Sequence, residues 1–574
     1  MNRPPVGRLL VLLTVMVFGL TGVMARLSVL QVREGTSYEE RGYDQRLHSF
    51  ILPAQRGSIL DASRQPLALS VDARDVYADP RFVQDPLGTA TAIAPLLGVR
   101  PAAVLRTLGG TGSFAYVAGD AGRQVDLATA ARIEALHLPG IGFLPTSKRS
   151  YPTGPLAAQV LGYVGIDGDG IAGLEYQYQR VLSGTPGEFR QEMSPSGQPI
   201  AQGVDETTAP VPGDDLVTTI DRQFQYEVQT ALAAAVKANH AKGGTVIVMD
   251  PHTGDIYAMA SYPAYDANAY PDSDVDARLN TALVDAFEPG SVNKVITASA
   301  ALEEHAVSLE RRFQVPDQMS VDTFTIHDSH PHPPEAMTLG DIIAESSNIG
   351  AAKVAQILGK STMSSYLSRF GFGRTTGSGF PGETAGDVPP LSEWSDALLA
   401  TAAYGQGLTV SPMQMASVYA TVANHGMWVQ PRLATGVIDG ANVFHAADAA
   451  PTRRVISAAT ADTVTRMLAA VVQDGTGTLA QIPGYQVAGK TGTALKVDPQ
   501  TGRYGRKYVA SFIGFLPASD PQVVIAAIID EPTTIYGGVA AAPLFQQVAQ
   551  YSIQRLGITP GDPVALPPSA LGLK

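Results

Sequence analysis

The sequence predicts a mixed α/β (α+β) fold, an antiparallel sheet with helices packed on it, behind a single N-terminal membrane helix. Three observations carry that prediction. Leu9 to Ala25 is a run of seventeen residues without a charge. Two pairs of β-rich runs, Thr245–Met249 with Ile256–Ala260 and Ser511–Leu516 with Val523–Ile529, are each split by a short turn, and each pair reads as a hairpin. Between them lie helical runs such as Gln223 to Lys237, with Phe224, Val228 and Leu232 at spacing four. Strands at both ends with helices between them imply one sheet closed by the two ends of the block. Composition agrees with a globular chain: 45% of the 574 residues are hydrophobic and 16% are charged. The net charge of −13 argues against a nucleic-acid partner held by global basicity. The absence of cysteine excludes disulfides, thiolate metal sites and thiol nucleophiles. Lysine is scarce, 10 of the 40 basic residues, so a lysine inside a motif is informative.

The anchor comes first in the chain. At ~1.5 Å per residue its uncharged run covers ~26 Å, marginal for a hydrocarbon core of ~30 Å. Apolar residues resume with Leu27, Val29, Leu30 and Val32, and Arg26 can snorkel to the interface. The expected span is 9–32, with 1–8 a short cytoplasmic tail and the bulk of the chain extracytoplasmic. Val23-Met24-Ala25 loosely fits a signal-peptide cleavage site, which is the alternative reading. Residues from about 44 alternate short apolar runs with turn clusters, and a proline-rich stretch from Gly184 to Asp215 reads as a linker or extended surface segment. These breaks divide the chain into an N-terminal domain at 44–215 and a larger one at 216–558. Pro560, Pro563, Pro567 and Pro568 mark 559–574 as a flexible tail.

Three short motifs in the larger domain carry chemistry. Ser291-Val292-Asn293-Lys294 follows the chain break Pro289-Gly290 and runs into a helical sequence, so Ser291 and Lys294 share a helix face. A lysine at the positive end of a helix is disfavoured as a cation, and a second cation nearby pushes the same way. Such an amine becomes a general base toward a serine hydroxyl. Ser and Lys three apart are common on exposed helices, but this is the sole Ser-x-x-Lys in the chain. Ser346-Ser347-Asn348 places Ser346 and Asn348 two apart, on one side of an extended bend. An ordinary helix cap would use the same residues. Lys490-Thr491-Gly492-Thr493 reads as a strand with a glycine against which a substrate backbone can lie. There Lys490 offers a cation for a carboxylate, and Thr491 and Thr493 offer hydroxyls. The plain alternative is an edge strand protected by a lysine.

In this order the three motifs resemble the penicillin-recognising serine acyltransferases, whose signature is Ser-x-x-Lys, Ser-x-Asn and Lys-Thr-Gly. Arg56-Gly57-Ser58-Ile59-Leu60-Asp61 and Gly173-Leu174-Glu175 are similar to elements of that family's N-terminal pedestal, and Phe380-Pro381-Gly382-Glu383 and Tyr404-Gly405-Gln406-Gly407 to parts of its catalytic domain. The resemblance covers nearly the whole chain and is to the class B, monofunctional penicillin-binding proteins. The stretch Leu69 to Pro80 is most similar to the division-specific (FtsI-type) branch. The resemblance implies a β-lactamase-like transpeptidase domain on an elongated pedestal, with peptidoglycan stem peptides and β-lactams as ligands. It implies Ser291 as nucleophile, Lys294 as base, Ser346 as proton relay and Asn348 as holder of the acyl-side amide. Lys490, Gly492 and the two threonines would bind the terminal carboxylate, and the N–H groups of Ser291 and Thr493 would form the oxyanion hole. No metal or organic cofactor is called for. The implied setting is the bacterial inner membrane at the septum, beside an FtsW-type glycosyltransferase and FtsQ/FtsL/FtsB/FtsN-like regulators.

Two distractors are weighed against this reading. His327, His330 and His332 are interleaved with Pro331, Pro333 and Pro334, which gives a solvated loop rather than the spacing of a metal site. Glu383 lies 35 residues beyond Asn348, within range for the deacylating glutamate of a class A β-lactamase, but its surroundings resemble a structural turn. An elongation-type transpeptidase, a D,D-carboxypeptidase or β-lactamase, a β-lactam sensor and a non-catalytic divisome scaffold are the competing functions. The pedestal and anchor count against a soluble hydrolase, the short N-terminal tail against a sensor, and Ser291 itself against a scaffold.

Overall fold

The structure, a computed structural model, describes residues 6–33, 37, 42, 46–192, 200, 203–497, 501, 503–534 and 536–569. Contacts divide the chain into two compact units: one formed by the N-terminal segment to Gln55 with 184–212, the other by 56–183 with 213–574.

In the first unit an α-helix at Val6–Ser28 continues as a π-helical turn to Arg33. An 18-residue window of it has a mean hydropathy of 2.1 and none of it is buried, so it is long and apolar enough to cross a membrane. Residues 1–5 of the expected tail lie outside the described residues. The stretch expected to be a linker or an extended surface segment carries two strands, Gly187–Glu192 and Asp205–Thr208, which pair antiparallel with each other, the first also pairing with Leu47–Leu52. The sequence hid them because Asp205 to Thr208 is wholly polar and exposed, with no buried face to set a period of two. Pro195 and Pro199 lie outside the described residues.

The second unit begins with the long strand β1 (Pro66–Ala78), paired antiparallel with β2 (Ile141–Ser150) from Leu69↔Ser150 to Ala78↔Ile141. Short helices bury Ile93, Ala94, Val104 and Ile133 against Val76 and Ala78. Arg56 and Glu175, from two motifs 119 residues apart, meet at its base. Arg56 Nε donates to Glu175 Oε2 at 2.6 Å, and Arg149 Nε to Oε1 at 2.7 Å. The Glu175 side chain is 0% exposed, so the carboxylate is shared by two guanidiniums out of reach of water.

A five-stranded sheet of the second unit contains both predicted hairpins. Helix α1 (Arg222–Ala238), capped by Asp221, leads into β3 (Gly243–Met249) and β4 (Ile256–Tyr262). The later strands are β5 (Ala488–Val497), β6 (Tyr504–Leu516) and β7 (Val523–Asp530), and the order β4-β3-β7-β6-β5 leaves β5 at an edge. Antiparallel pairing of β3 with β7, from Gly243↔Asp530 to Met249↔Val524, closes the sheet. Every residue of β3 is buried because helices cover both faces. Val246 and Val248 pack with Phe224, Val228 and Phe545 on one side. Ile247 and Met249 join Val295, Ile343, Met415 and Val464 on the other.

The expected flexible tail is held along much of its length. Residues 559–569 have no regular secondary structure, yet the Val564 N–H donates to Gln486 Oε1 at 2.6 Å and Ser569 Oγ to Asp341 Oδ1 at 2.6 Å. Prolines preclude a helix there but not side-chain anchoring. Residues 570–574 lie outside the described residues.

The Arg56–Glu175–Arg149 cluster gives the first prediction. Glu175→Ala strands two buried guanidiniums, and breaking such a pair costs about 3–5 kcal/mol. Denaturant unfolding of the variant will show a midpoint loss of that size, and an unchanged midpoint would contradict the assignment.

Candidate active site

Ser291 sits in a 3-10 turn, Gly290–Asn293, that feeds directly into helix α2 (Lys294–Glu303). Gly290 makes this turn possible. Its φ is +59°, and a Cβ there would lie 2.9 Å from the Thr493 carbonyl oxygen on β5. Its N–H donates to Gly405 O at 3.0 Å, which ties the turn to the loop at 404–407.

Helix α3 (Leu339–Ala344) ends two residues before Ser346, and Ser347 caps the next helix, α4 (Asn348–Phe370). Ser346 is left-handed, φ +62°, not the extended residue that its spacing implied. A non-glycine residue rarely adopts that conformation. Here it turns both the carbonyl and the hydroxyl of Ser346 toward one amine.

That amine is Lys294 Nζ, which converges on all the expected catalytic residues. It lies 3.0 Å from Ser291 Oγ, 3.2 Å from Ser346 Oγ and 2.8 Å from Asn348 Oδ1, and it also donates to the Ser346 carbonyl. Lys294 is fully buried. Burial pushes its pKa down to about 7, with the Asp328 carboxylate acting in the opposite sense. Asn348 Nδ2 donates to His327 O at 3.0 Å, which leaves its second hydrogen for a substrate amide.

On strand β5 a Cβ on Gly492 would lie 2.3 Å from Ser511 Oγ and 3.0 Å from Val292 Cγ1, so the glycine lets β6 and the turn of Ser291 pack close against this strand. Lys490 does not present its amine to solvent. It is fully buried and donates to Thr491 O and Thr491 Oγ1, each at 3.2 Å. Burial, reinforced by the charge of Lys294, holds its pKa well below the ordinary lysine value. Thr491 Oγ1 pairs with Thr476 Oγ1 at 2.8 Å, and Thr493 Oγ1 accepts from Gly537 N–H at 3.1 Å.

Comparison with known proteins now bears on this geometry. The family model of the penicillin-binding protein transpeptidase domain matches residues 244–550, and that of the penicillin-binding protein dimerisation domain matches 51–218. The chain is a class B penicillin-binding protein. It is 35% identical to penicillin-binding protein PbpB of Mycobacterium tuberculosis over 94% of this chain and 84% of that one. It is 32% identical to peptidoglycan D,D-transpeptidase FtsI of Escherichia coli over 94% and 90%. The solved structure of penicillin binding protein 3 from M. tuberculosis, complexed with aztreonam, aligns with a TM-score of 0.70 at 31% identity, covering 90% of this chain and all of that one.

Within this penicillin-binding protein, one site residue escaped the sequence. Asp328 Oδ1 accepts from the N–H groups of Asn348, at 2.5 Å, and Ile349, at 3.0 Å, while Ser347 Oγ donates to Oδ2 at 2.7 Å. It caps α4 from a different segment and seats Asn348 against Lys294. His332 Nε2 lies 3.2 Å from the same carboxylate, and the His330 ring lies 5.7 Å from that of Tyr536. The histidine-rich loop thus flanks the site, with His332 paired to Asp328 and His330 beside Tyr536. The one signal was that Asp328 falls in that loop. Glu383 is fully occupied, accepting from Thr376 N at 2.6 Å, Ser378 Oγ at 2.8 Å and the Thr376 hydroxyl.

Acylation of this penicillin-binding protein will follow the Lys294 proton. Its neutral amine is the form that accepts a proton from Ser291, so the acylation rate rises as pH climbs through about 7. Stopped-flow acylation by a chromogenic β-lactam, between about pH 5.5 and 8.5, will show that acid limb. A flat profile would contradict it.

Proposed function

We propose that this chain is a septal peptidoglycan D,D-transpeptidase working through an acyl-Ser291 intermediate. The observation that carries the reading is the buried Lys294 amine 3.0 Å from Ser291 Oγ, poised near neutrality. Ser291 attacks the penultimate carbonyl of a D-Ala-D-Ala stem peptide while Lys294 takes the hydroxyl proton. The N–H groups of Ser291 and Thr493 receive the developing oxyanion, an effect of about 10²–10³ in rate per donor. Collapse of the tetrahedral intermediate breaks the amide bond, and Ser346 relays the proton to the departing D-Ala amine. An amine of a neighbouring stem peptide then attacks the ester, releases Ser291 and forms the cross-link. The substrate's terminal carboxylate is received at the Lys490–Thr493 strand, by Thr491 and Thr493, and its negative charge favours the protonated form of the buried Lys490 behind them. Residues 44–215 serve as the pedestal and 216–558 as the catalytic domain, a division supported by the matches at 51–218 and 244–550. The helix at Val6–Arg33 anchors the chain with its bulk outside.

Two measurements test the proposal. Intact-mass spectrometry after penicillin treatment will show one long-lived penicilloyl adduct per chain, absent in Ser291→Ala and of equal lifetime in Glu383→Gln. Rapid turnover of penicillin, stopped by Glu383→Gln with the adduct trapped, would make the protein a hydrolase. Depletion in its own organism will leave elongated cells that cannot close septa; rounded cells would instead assign it to elongation, among the FtsW-type partners' elongation counterparts.

A further inference from the structure

The residues after helix α5 (Ala542–Leu556) lie beyond the span of the transpeptidase family match, which ends at 550. They nevertheless lead back toward the active site by a series of specific contacts. Tyr485 OH donates to Ile558 O at 2.7 Å. The Gln486 side-chain amide bonds both backbone groups of Val564, accepting from N–H at 2.6 Å and donating to C=O at 3.2 Å. Val564 packs against the core cluster that holds α2 and α4. At Gly340 a Cβ would stand 3.0 Å from Pro567 Cγ, so the chain lies flush on the first turn of α3.

The contacts then reach the cap of α3. Ser569 Oγ donates to Asp341 Oδ1 at 2.6 Å, while the other carboxylate oxygen of Asp341 accepts from Thr338 N at 2.9 Å. Thr338 Oγ1 accepts from Asp341 N–H at 3.2 Å and lies 2.8 Å from Asp341 Oδ2 and 3.1 Å from Pro568 O, so its one proton serves either oxygen. From the other end of α3, Asp341 O accepts from Glu345 N at 2.8 Å and Ile342 O from Ser347 N at 3.0 Å. Those two bonds bracket Ser346 in its left-handed conformation, whose carbonyl and hydroxyl both face Lys294. Ala344 O also accepts from Thr476 N at 3.3 Å, and the Thr476 hydroxyl pairs with Thr491.

We propose that residues 559–569 are a strap that positions Ser346 through the capping box of α3, with Ser569 as its positioning residue. A conformation that a serine rarely adopts persists only when its surroundings over-determine it. α3 has just six residues, too few to hold itself, so the restraint comes from both ends. The strap supplies the N-terminal one. Without it α3 has freedom to shift, Ser346 relaxes, and water reaches the Lys294 amine.

The proposal rests on the acyl-Ser291 reading, and its test separates the two. The full chain is compared with Ser569→Ala, Ser569→Thr and a chain whose residues 564–569 are replaced by a Gly-Ser run of equal length. The measurements are the second-order rate of Ser291 acylation by a fluorescent penicillin, its pH profile and the thermal transition. The replaced chain will acylate at least about tenfold more slowly, Ser569→Ala about fivefold, the factor carried by one net hydrogen bond, and Ser569→Thr will recover the rate. In both slowed proteins the acid limb moves to higher pH, because a hydrated Lys294 holds its proton more tightly. A merely structural strap would lower the thermal midpoint and leave the rate per folded molecule and the acid limb in place, and that result overturns the proposal. If the replaced chain does not fold, the serine variants decide: wild-type rate and profile in Ser569→Ala overturn it. Wild-type protein that fails to acylate at Ser291 sinks the enzyme reading and the strap together, whereas indifferent variants of an acylating protein sink the strap alone.

Discussion

The structure depends on one buried amine. Lys294 lies beyond the reach of water, and holding an ammonium there costs several kcal/mol in lost hydration. Losing the proton is the cheaper outcome, which is why its pKa falls to about 7. The amine stays anchored because four oxygens converge on it, from Ser291, Ser346 and Asn348. Two chain segments far apart in sequence, the turn of Ser291 with Lys294 and the stretch 346–348, must therefore be held to within a few tenths of an ångström. Much of the catalytic domain is an answer to that requirement.

The answer has a rigid part and an adjustable part. The rigid part is the five-stranded sheet, covered on both faces, whose edge strand β5 abuts the turn of Ser291 with nothing but glycine between. A side chain at Gly290 or Gly492 would push the turn and the strand apart. The adjustable part is the link from α3 to α4, where Ser346 is bent into an unfavourable conformation and Asp328 reaches in from a loop to cap α4. Asp328 also opposes the effect of burial on Lys294, so one carboxylate both seats Asn348 and moderates the base. The charge of Lys294 disfavours that of the buried Lys490. An anionic substrate entering beside them relieves that repulsion, which makes binding and charge state interdependent.

Local chemistry explains which expectations survive in the structure. The two hairpins were legible because each strand is apolar and each turn carries Pro, Gly or Asp. Helix α1 was legible from its spacing, and the structure adds Asp221 as its cap. The strands Gly187–Glu192 and Asp205–Thr208 were not, because edge strands with polar faces have no apolar period. The tail from 559 to 569 looked loose because its prolines preclude helix and strand, while its anchors, Gln486, Thr338 and Asp341, are distant in sequence.

At the site, the sequence alone singled out the residues that the fold brings together. Ser291, Lys294, Ser346, Asn348 and the Lys490–Thr493 strand were identifiable because their spacing and order are properties of the chain itself. Only the tertiary structure decided their states. That Lys294 is nearly neutral, that Lys490 is turned inward, that Gly492 serves the nucleophile's turn and that Asp328 belongs to the site all follow from what surrounds each group. Burial and long-range contact set those surroundings. Neither is encoded in the residues adjacent in sequence, because both depend on segments brought together by folding.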